Sequence, residues 1–158
     1  MSDRGIFVVC FLTVVLVVAG AFALPQLFFF ELFKSLIYLL IAVMVFFGDN
    51  KYSYMLGIVA PPVWFILDIV LGGFFADLQV LLDFLMGKGT PVLDTPLHGL
   101  AVLTEILLVI LCLRAWRKEV TAPFFSKPFA VALAVSVVYV GIMAGWYVYG
   151  IAAGGRLP

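Results

Sequence analysis

Charge is scarce in this chain. Asp, Glu, Lys and Arg make up 11% of its 158 residues, against about a quarter in an ordinary soluble domain. With 66% hydrophobic residues and a mean hydropathy of +1.26, its apolar surface cannot be enclosed in one water-soluble core. Lipid is the solvent that remains. Neither sign of charge prevails, because nine basic residues meet nine acidic ones, so there is no basic footprint for nucleic acid. Cysteine is nearly missing. Cys10 and Cys112 both lie in apolar runs, with no CxxC and no Cys/His pair. That excludes a zinc site and a disulfide framework and leaves buried, inert thiols. His98 is the single histidine. Metal sites gather three or four ligands at close spacing, so no metal and no other cofactor is expected. There is no phosphate loop, no GxSxG and no HExxH, which removes the usual signatures of nucleotide and nucleophilic chemistry.

What the chain does contain is apolar length. Five runs stand out, over about 5–23, 27–47, 54–75, 97–113 and 129–149. A helix crosses the hydrocarbon core with about 20 residues, in a range of roughly 17–25, and all five qualify. The expected fold class is all-α: a polytopic transmembrane helix bundle of five membrane-spanning helices, the second to fifth spans forming its core, in one integral membrane domain covering 1–158. Residues 76–86 set Asp77, Gln79 and Asp83 against a surface of leucine, valine and phenylalanine. This pattern predicts a short amphipathic helix lying in the interface, stopped by Gly87.

The first run has the form of a signal peptide, with Arg4, an apolar core and Ala21-Phe22-Ala23. Only Leu24-Pro25-Gln26 parts it from the next run, so it reads as a retained helix in a hairpin turning at Pro25. Gly48 to Lys51 reads as a turn, with Tyr52 and Tyr54 as interfacial anchors. Pro61 and Pro62 each remove a backbone hydrogen bond, to Gly57 and Ile58, so the third run is expected to kink or break there. Thr95 suits a helix N-cap with Pro96 at the first helical position, and Asp94 reads as a local cap. Trp146, Tyr147 and Tyr149 form an aromatic belt. Gly141 and Gly145 make a GxxxG pair, suited to helix packing within the bundle and secondly to dimerisation.

Basic residues set the expected orientation. With Arg114, Arg117, Lys118 and Lys127 in the cytoplasm, alternation puts Lys51 and Arg4 there too, against Lys88 and Arg156 outside. The N-terminus is then cytoplasmic and the C-terminus outside, in a bacterial inner or other cytoplasm-facing membrane.

Within that frame the intramembrane polar residues converge. At 1.5 Å rise per residue, Lys34 lies about 10 Å below the outer surface, Asp68 about 10 Å and Glu105 about 12 Å. Three helices thus bring one cation and two carboxylates to one level, with Glu31 and His98 nearer the surface. Glu31 and Lys34, three apart, share a helical face, as do His98 and Glu105, seven apart. A charge at such depth costs about 2.5–3.5 kcal/mol on insertion scales, so these residues are expected to turn inward and pair. One lysine cannot neutralise two carboxylates, so one of them is expected to hold a proton near neutral pH. Lys34, Asp68, Glu105, Glu31 and His98 are the candidate ligand- or ion-binding residues. His98 itself reads as a hydrogen-bonded or solvated residue at a helix mouth rather than a metal or pigment ligand.

Two readings of function follow. The first is a non-enzymatic structural or assembly subunit, embedded in the lipid bilayer as a homo-oligomer or part of a larger membrane complex. The second is a small oligomeric proton- or cation-coupled transporter or channel. A lipid-modifying enzyme is a distant third, because no further groups surround the carboxylates to define a reaction.

Overall fold

In lipid there is no water to satisfy backbone amides, so an apolar run of membrane length bonds to itself as a helix. The computed structural model describes residues 2–23, 28–48, 50–88 and 94–152. Among these it contains six helices and no strand: α1 (Ser2–Ala23), α2 (Phe28–Phe46), α3 (Asn50–Val70), α4 (Gly73–Leu85), α5 (Asp94–Glu119) and α6 (Lys127–Ala152). Five of them, all but α4, are long and apolar enough to cross a membrane. With 13 residues, α4 reaches only about 20 Å, short of the roughly 30 Å hydrocarbon core. The fold is an all-helical bundle of a membrane protein.

Several boundaries differ from the sequence reading. The third run was expected to continue to Phe75, but α3 ends at Val70. Gly72 takes a left-handed φ of 80° and starts α4 one residue later. A side chain resists that conformation, so Gly72-Gly73 turns the chain where hydropathy alone sees no boundary. The short helix accordingly begins at Gly73 rather than at 76, and Phe74 and Phe75 belong to it. Its end is as expected, at Gly87, with φ 72° and an N–H donating to the Phe84 carbonyl at 3.0 Å. The fourth span is longer than 97–113, because α5 holds its helix through Arg114, Arg117 and Lys118 to Glu119.

Pro61 and Pro62 do not break α3, which is continuous through both. Membrane helices tolerate such losses where neighbouring helices enclose the freed carbonyls, and α3 is packed by α5 and α6 here. The expected hairpin at Pro25 and the capping side chains of Asp94 and Thr95 lie outside the described residues.

The bundle is built around α1, α3 and α5. Helix α1 packs on α2 and α5, α3 on α5 and α6, and α4 lies across α5 and α3. Ile6, Tyr38, Ile41, Met55, Trp64 and Leu108 are among the fully enclosed side chains at the centre. Close approach is achieved with glycine. A Cβ at Gly57 would stand 2.5 Å from the Cys112 sulfur, so α3 and α5 touch there nearly backbone to side chain. A Cβ at Gly99 would stand 2.7 Å from the Asp77 carbonyl, which is where α4 crosses α5. Gly141 and Gly145 serve no such purpose within the chain. Both are exposed, and a Cβ at either meets nothing within 4 Å. Large apolar side chains such as Phe11, Phe46, Ile66 and Val138 face outward, as they must where the solvent is hydrocarbon.

Candidate functional site

Four helices deliver charged side chains to one place. Helix α2 contributes Glu31 and Lys34, one turn apart on its inward face and 8% and 7% exposed. Helix α3 contributes Asp68 from its last turn. Helix α5 contributes His98 and, two turns deeper, Glu105, which is wholly buried. Helix α4 contributes Asp77.

Lys34 is the hub. Its ammonium donates a hydrogen bond to Asp68 Oδ2 at 3.3 Å and lies 3.7 Å from Glu105 Oε1. It also sits 5.7 Å from the centre of the Trp64 ring, a cation–π distance. The residues expected to share a depth therefore do meet. The route differs from the depth estimate, since Asp68 is two residues from the end of α3 rather than seven from Phe75. The long lysine stem spans that difference and lets its head reach both carboxylates.

This contact borders a cavity of about 230 Å³, lined by the charged or polar side chains of Glu31, Lys34, Asp68, Asp77 and His98 together with Val17, Phe30, Leu71 and Ala101. His98 Nε2 stands 4.0 Å from Glu31 Oε2. The imidazole is held against α1 at Gly20, where an added Cβ would come within 2.7 Å of Nε2. Two buried polar atoms here make no hydrogen bond to the protein, Glu31 Oε2 and His98 Nε2, while the Tyr38 hydroxyl and the Glu105 carboxylate face each other. Beside Glu105, Thr13 Oγ1 of α1 and Thr104 Oγ1 of α5 are 2.9 Å apart and tie these helices together. The Thr104 hydroxyl donates to the Ala101 carbonyl at 2.8 Å.

The electrostatics are lopsided. Glu31, Asp68, Asp77 and Glu105 surround one lysine and one histidine. Removing an ion from water costs several kcal/mol unless it is paired and hydrogen-bonded, and here the negative charges outnumber their partners. Such a cluster relieves itself by taking up protons or by attracting a cation. Asp77 lies on the non-spanning α4. Burial raises its carboxyl above the ordinary aspartate range, against the opposing pull of His98 and Lys34.

Asp77 is the site residue that sequence reading misplaced, since it was assigned to the wet face of an interfacial helix. The clue was its position four residues beyond Gly73, where the chain folds back over the ends of α3 and α5. Tyr54 also departs from expectation. Rather than anchoring at the interface it is fully buried, and its hydroxyl bonds to Asp3 and, at 2.7 Å, to Glu119. This second polar knot ties the start of α1 and the end of α5 to α3, at the opposite end of α5 from His98. No group of three or more His, Cys, Asp or Glu residues suited to a metal ion occurs among the described residues.

Comparison with protein-family models, with curated proteins and with solved structures finds no match to this chain. The geometry of the site is therefore the ground for its function.

Proposed function

We propose that the chain is a multi-pass membrane protein that receives a proton or small cation in its acidic cavity, as a compact transporter or channel. This is the second of the two expected readings, and one observation raises it above the first. Four carboxylates surround one lysine, and three of them, Glu31, Asp68 and Asp77, line a cavity in which Glu31 Oε2 has no hydrogen bond to the protein. A cluster that only held the bundle together would gain from matched charge and complete hydrogen bonding, because unpaired buried charge destabilises a fold. Excess negative charge facing a cavity serves a mobile positive one. Lys34 acts in this reading as a tethered cation, holding Asp68 and Glu105 when no other positive charge is near them.

Orientation is part of the proposal. The basic residues Arg4, Lys51, Arg114, Arg117, Lys118 and Lys127 support a cytoplasmic N-terminus, an orientation in which the cavity opens toward the outside. Assembly is the second reading, and α6 supports it. That helix is the least buried of the five spans, and Gly141 and Gly145 leave its outer face open to close approach. A transporter of five helices also gains enclosed volume by self-association, so the two readings are compatible.

The test is reconstitution. Proteoliposomes carrying the protein should pass protons or sodium under an imposed potential, followed by an internal pH dye and by isotope uptake. Glu105→Gln and Asp68→Asn should abolish the flux while the purified proteins keep their helical content. Flux no greater than that of empty liposomes would reject the proposal.

A further inference from the structure

The cavity is larger than a proton or bare ion requires, and its lining combines acids with hydrocarbon. Its 230 Å³ is the share of about eight water molecules in the liquid. Lys34 is already engaged below, by Asp68 and Glu105. Glu31 and Asp77 remain, with His98 Nε2 4.0 Å from Glu31 Oε2 and electrostatically coupled to Asp77. Glu31 is more than nine-tenths buried, and its Oε2 has no hydrogen-bond partner in the protein. The same cavity is lined by the apolar side chains of Val17, Phe30 and Leu71. Phe30 is fixed edge-on against Trp64, with ring centres 5.9 Å apart at 89°, so this part of the lining is rigid.

A hard metal cation wants about six oxygen ligands. The side chains of Glu31 and Asp77 do not supply them by themselves. An ion with a charged head and a hydrocarbon body matches both kinds of lining side chain at once. We propose that the cavity binds a small organic ammonium ion, a protonated alkyl- or arylamine, with its head at Glu31 and Asp77 and its body against Val17, Phe30 and Leu71. The assignment rests on the cation-site reading above and narrows it to one chemical class. The ammonium could be that of a free amine or of a lipid headgroup, since both offer the same donors to the carboxylates.

The experiment is a titration of the full-length protein in uncharged maltoside micelles with methyl-, propyl- and hexylammonium, followed by calorimetry. Sodium and 1-hexanol serve as controls. Affinity should rise by about fourfold per added methylene as the apolar lining is covered, with hexanol giving no saturable heat. Glu31→Gln and Asp77→Asn should each weaken hexylammonium by about tenfold or more, the loss of one hydrogen bond to a charged group. Leu71 is half exposed, so Leu71→Trp should fold. It should weaken hexylammonium while leaving methylammonium unchanged.

Equal affinity for sodium and hexylammonium, or equal binding of hexylammonium by wild type and Glu31→Gln, would overturn the assignment. If proteoliposomes pass protons or sodium but alkylammonium ions do not bind, the ammonium assignment falls and the cation reading stands. If neither is seen, both fall. Repeating the titration in nanodiscs with and without ethanolamine-headgroup lipid separates the sources. Competition by that lipid identifies a headgroup site, and unchanged affinity identifies a site for free amines.

Discussion

Replacing Lys34 by methionine keeps most of the apolar stem and removes the charge that holds Asp68 at 3.3 Å and Glu105 at 3.7 Å. Breaking a buried ion pair from one side costs about 3–5 kcal/mol while the stranded charge persists. Glu105 is fully buried, so water cannot relieve it, but a proton can. Placing a proton on an ordinary glutamate at pH 7 costs about 1.36 × (7 − 4.3), or about 3.7 kcal/mol, and at pH 5 only about 1 kcal/mol. That cost caps the penalty, and the cap falls as pH falls because the proton becomes cheaper to supply. Asp68 adds less, since its side chain keeps 17% exposure. Lys34→Met should therefore lose about 3–4 kcal/mol relative to wild type at pH 7 and about 1 kcal/mol at pH 5. Adding Glu105→Gln should restore most of the loss at pH 7. The assay is reversible unfolding in mixed detergent micelles at both pH values, on wild type, both single variants and the double variant. An equal loss at pH 5 and pH 7 with no rescue by Glu105→Gln would refute the reasoning, because the cost would then lie in packing and not in charge.

Three further outcomes are expected. Gly57→Ala puts a methyl group 2.5 Å from the Cys112 sulfur and should cost about 1–3 kcal/mol. A companion Cys112→Ala should recover much of it in a double-mutant cycle, whereas Gly141→Ala, with open space around it, should stay within about 0.5 kcal/mol. Tyr54→Phe removes the hydroxyl shared by Asp3 and Glu119 and should lower unfolding stability by about 1.5–3 kcal/mol; an unchanged midpoint would show that this knot is idle. Asp77 has its carboxyl raised by burial, so the folded protein holds a proton that the unfolded chain has released. Stability from this group is present at acid pH and declines as pH rises through the window between the unfolded and folded values. Asp77→Asn should flatten that part of the stability–pH curve, and an identical slope in wild type and variant would count against burial of this carboxyl.

Some of the site could be read directly from the chain. Lys34, Asp68 and Glu105 were placed together because each interrupts an apolar run at a countable distance from its end, and helical rise converts residue count into depth. The conversion failed in detail at Asp68, since Gly72-Gly73 ends α3 five residues early. Long apolar sequence hides such a turn, as Phe74 and Phe75 are as hydrophobic on α4 as they would be on α3. Asp77 was legible as a polar residue on a short helix but not as a wall of the cavity. Its direction depends on how α4 folds back over α5 at Gly99. Tyr54 was misread for the same reason, because an aromatic near a span's end suits an interface anchor until the acids of α1 and α5 arrive beside it.

The sequence by itself determined that the chain is helical, how many helices are long enough to span a membrane, and which residues are too polar to face lipid. These are local properties: hydrocarbon forces each apolar run to satisfy its own backbone, and an isolated charge in such a run must find a partner. Only the tertiary structure decided which partner. Helix rotation, the glycine contacts at Gly20, Gly57 and Gly99, and the reach of one lysine stem set who meets whom. None of these is encoded by spacing along a single helix. They put one ammonium among four carboxylates and left a cavity beside it lined by both acids and hydrocarbon.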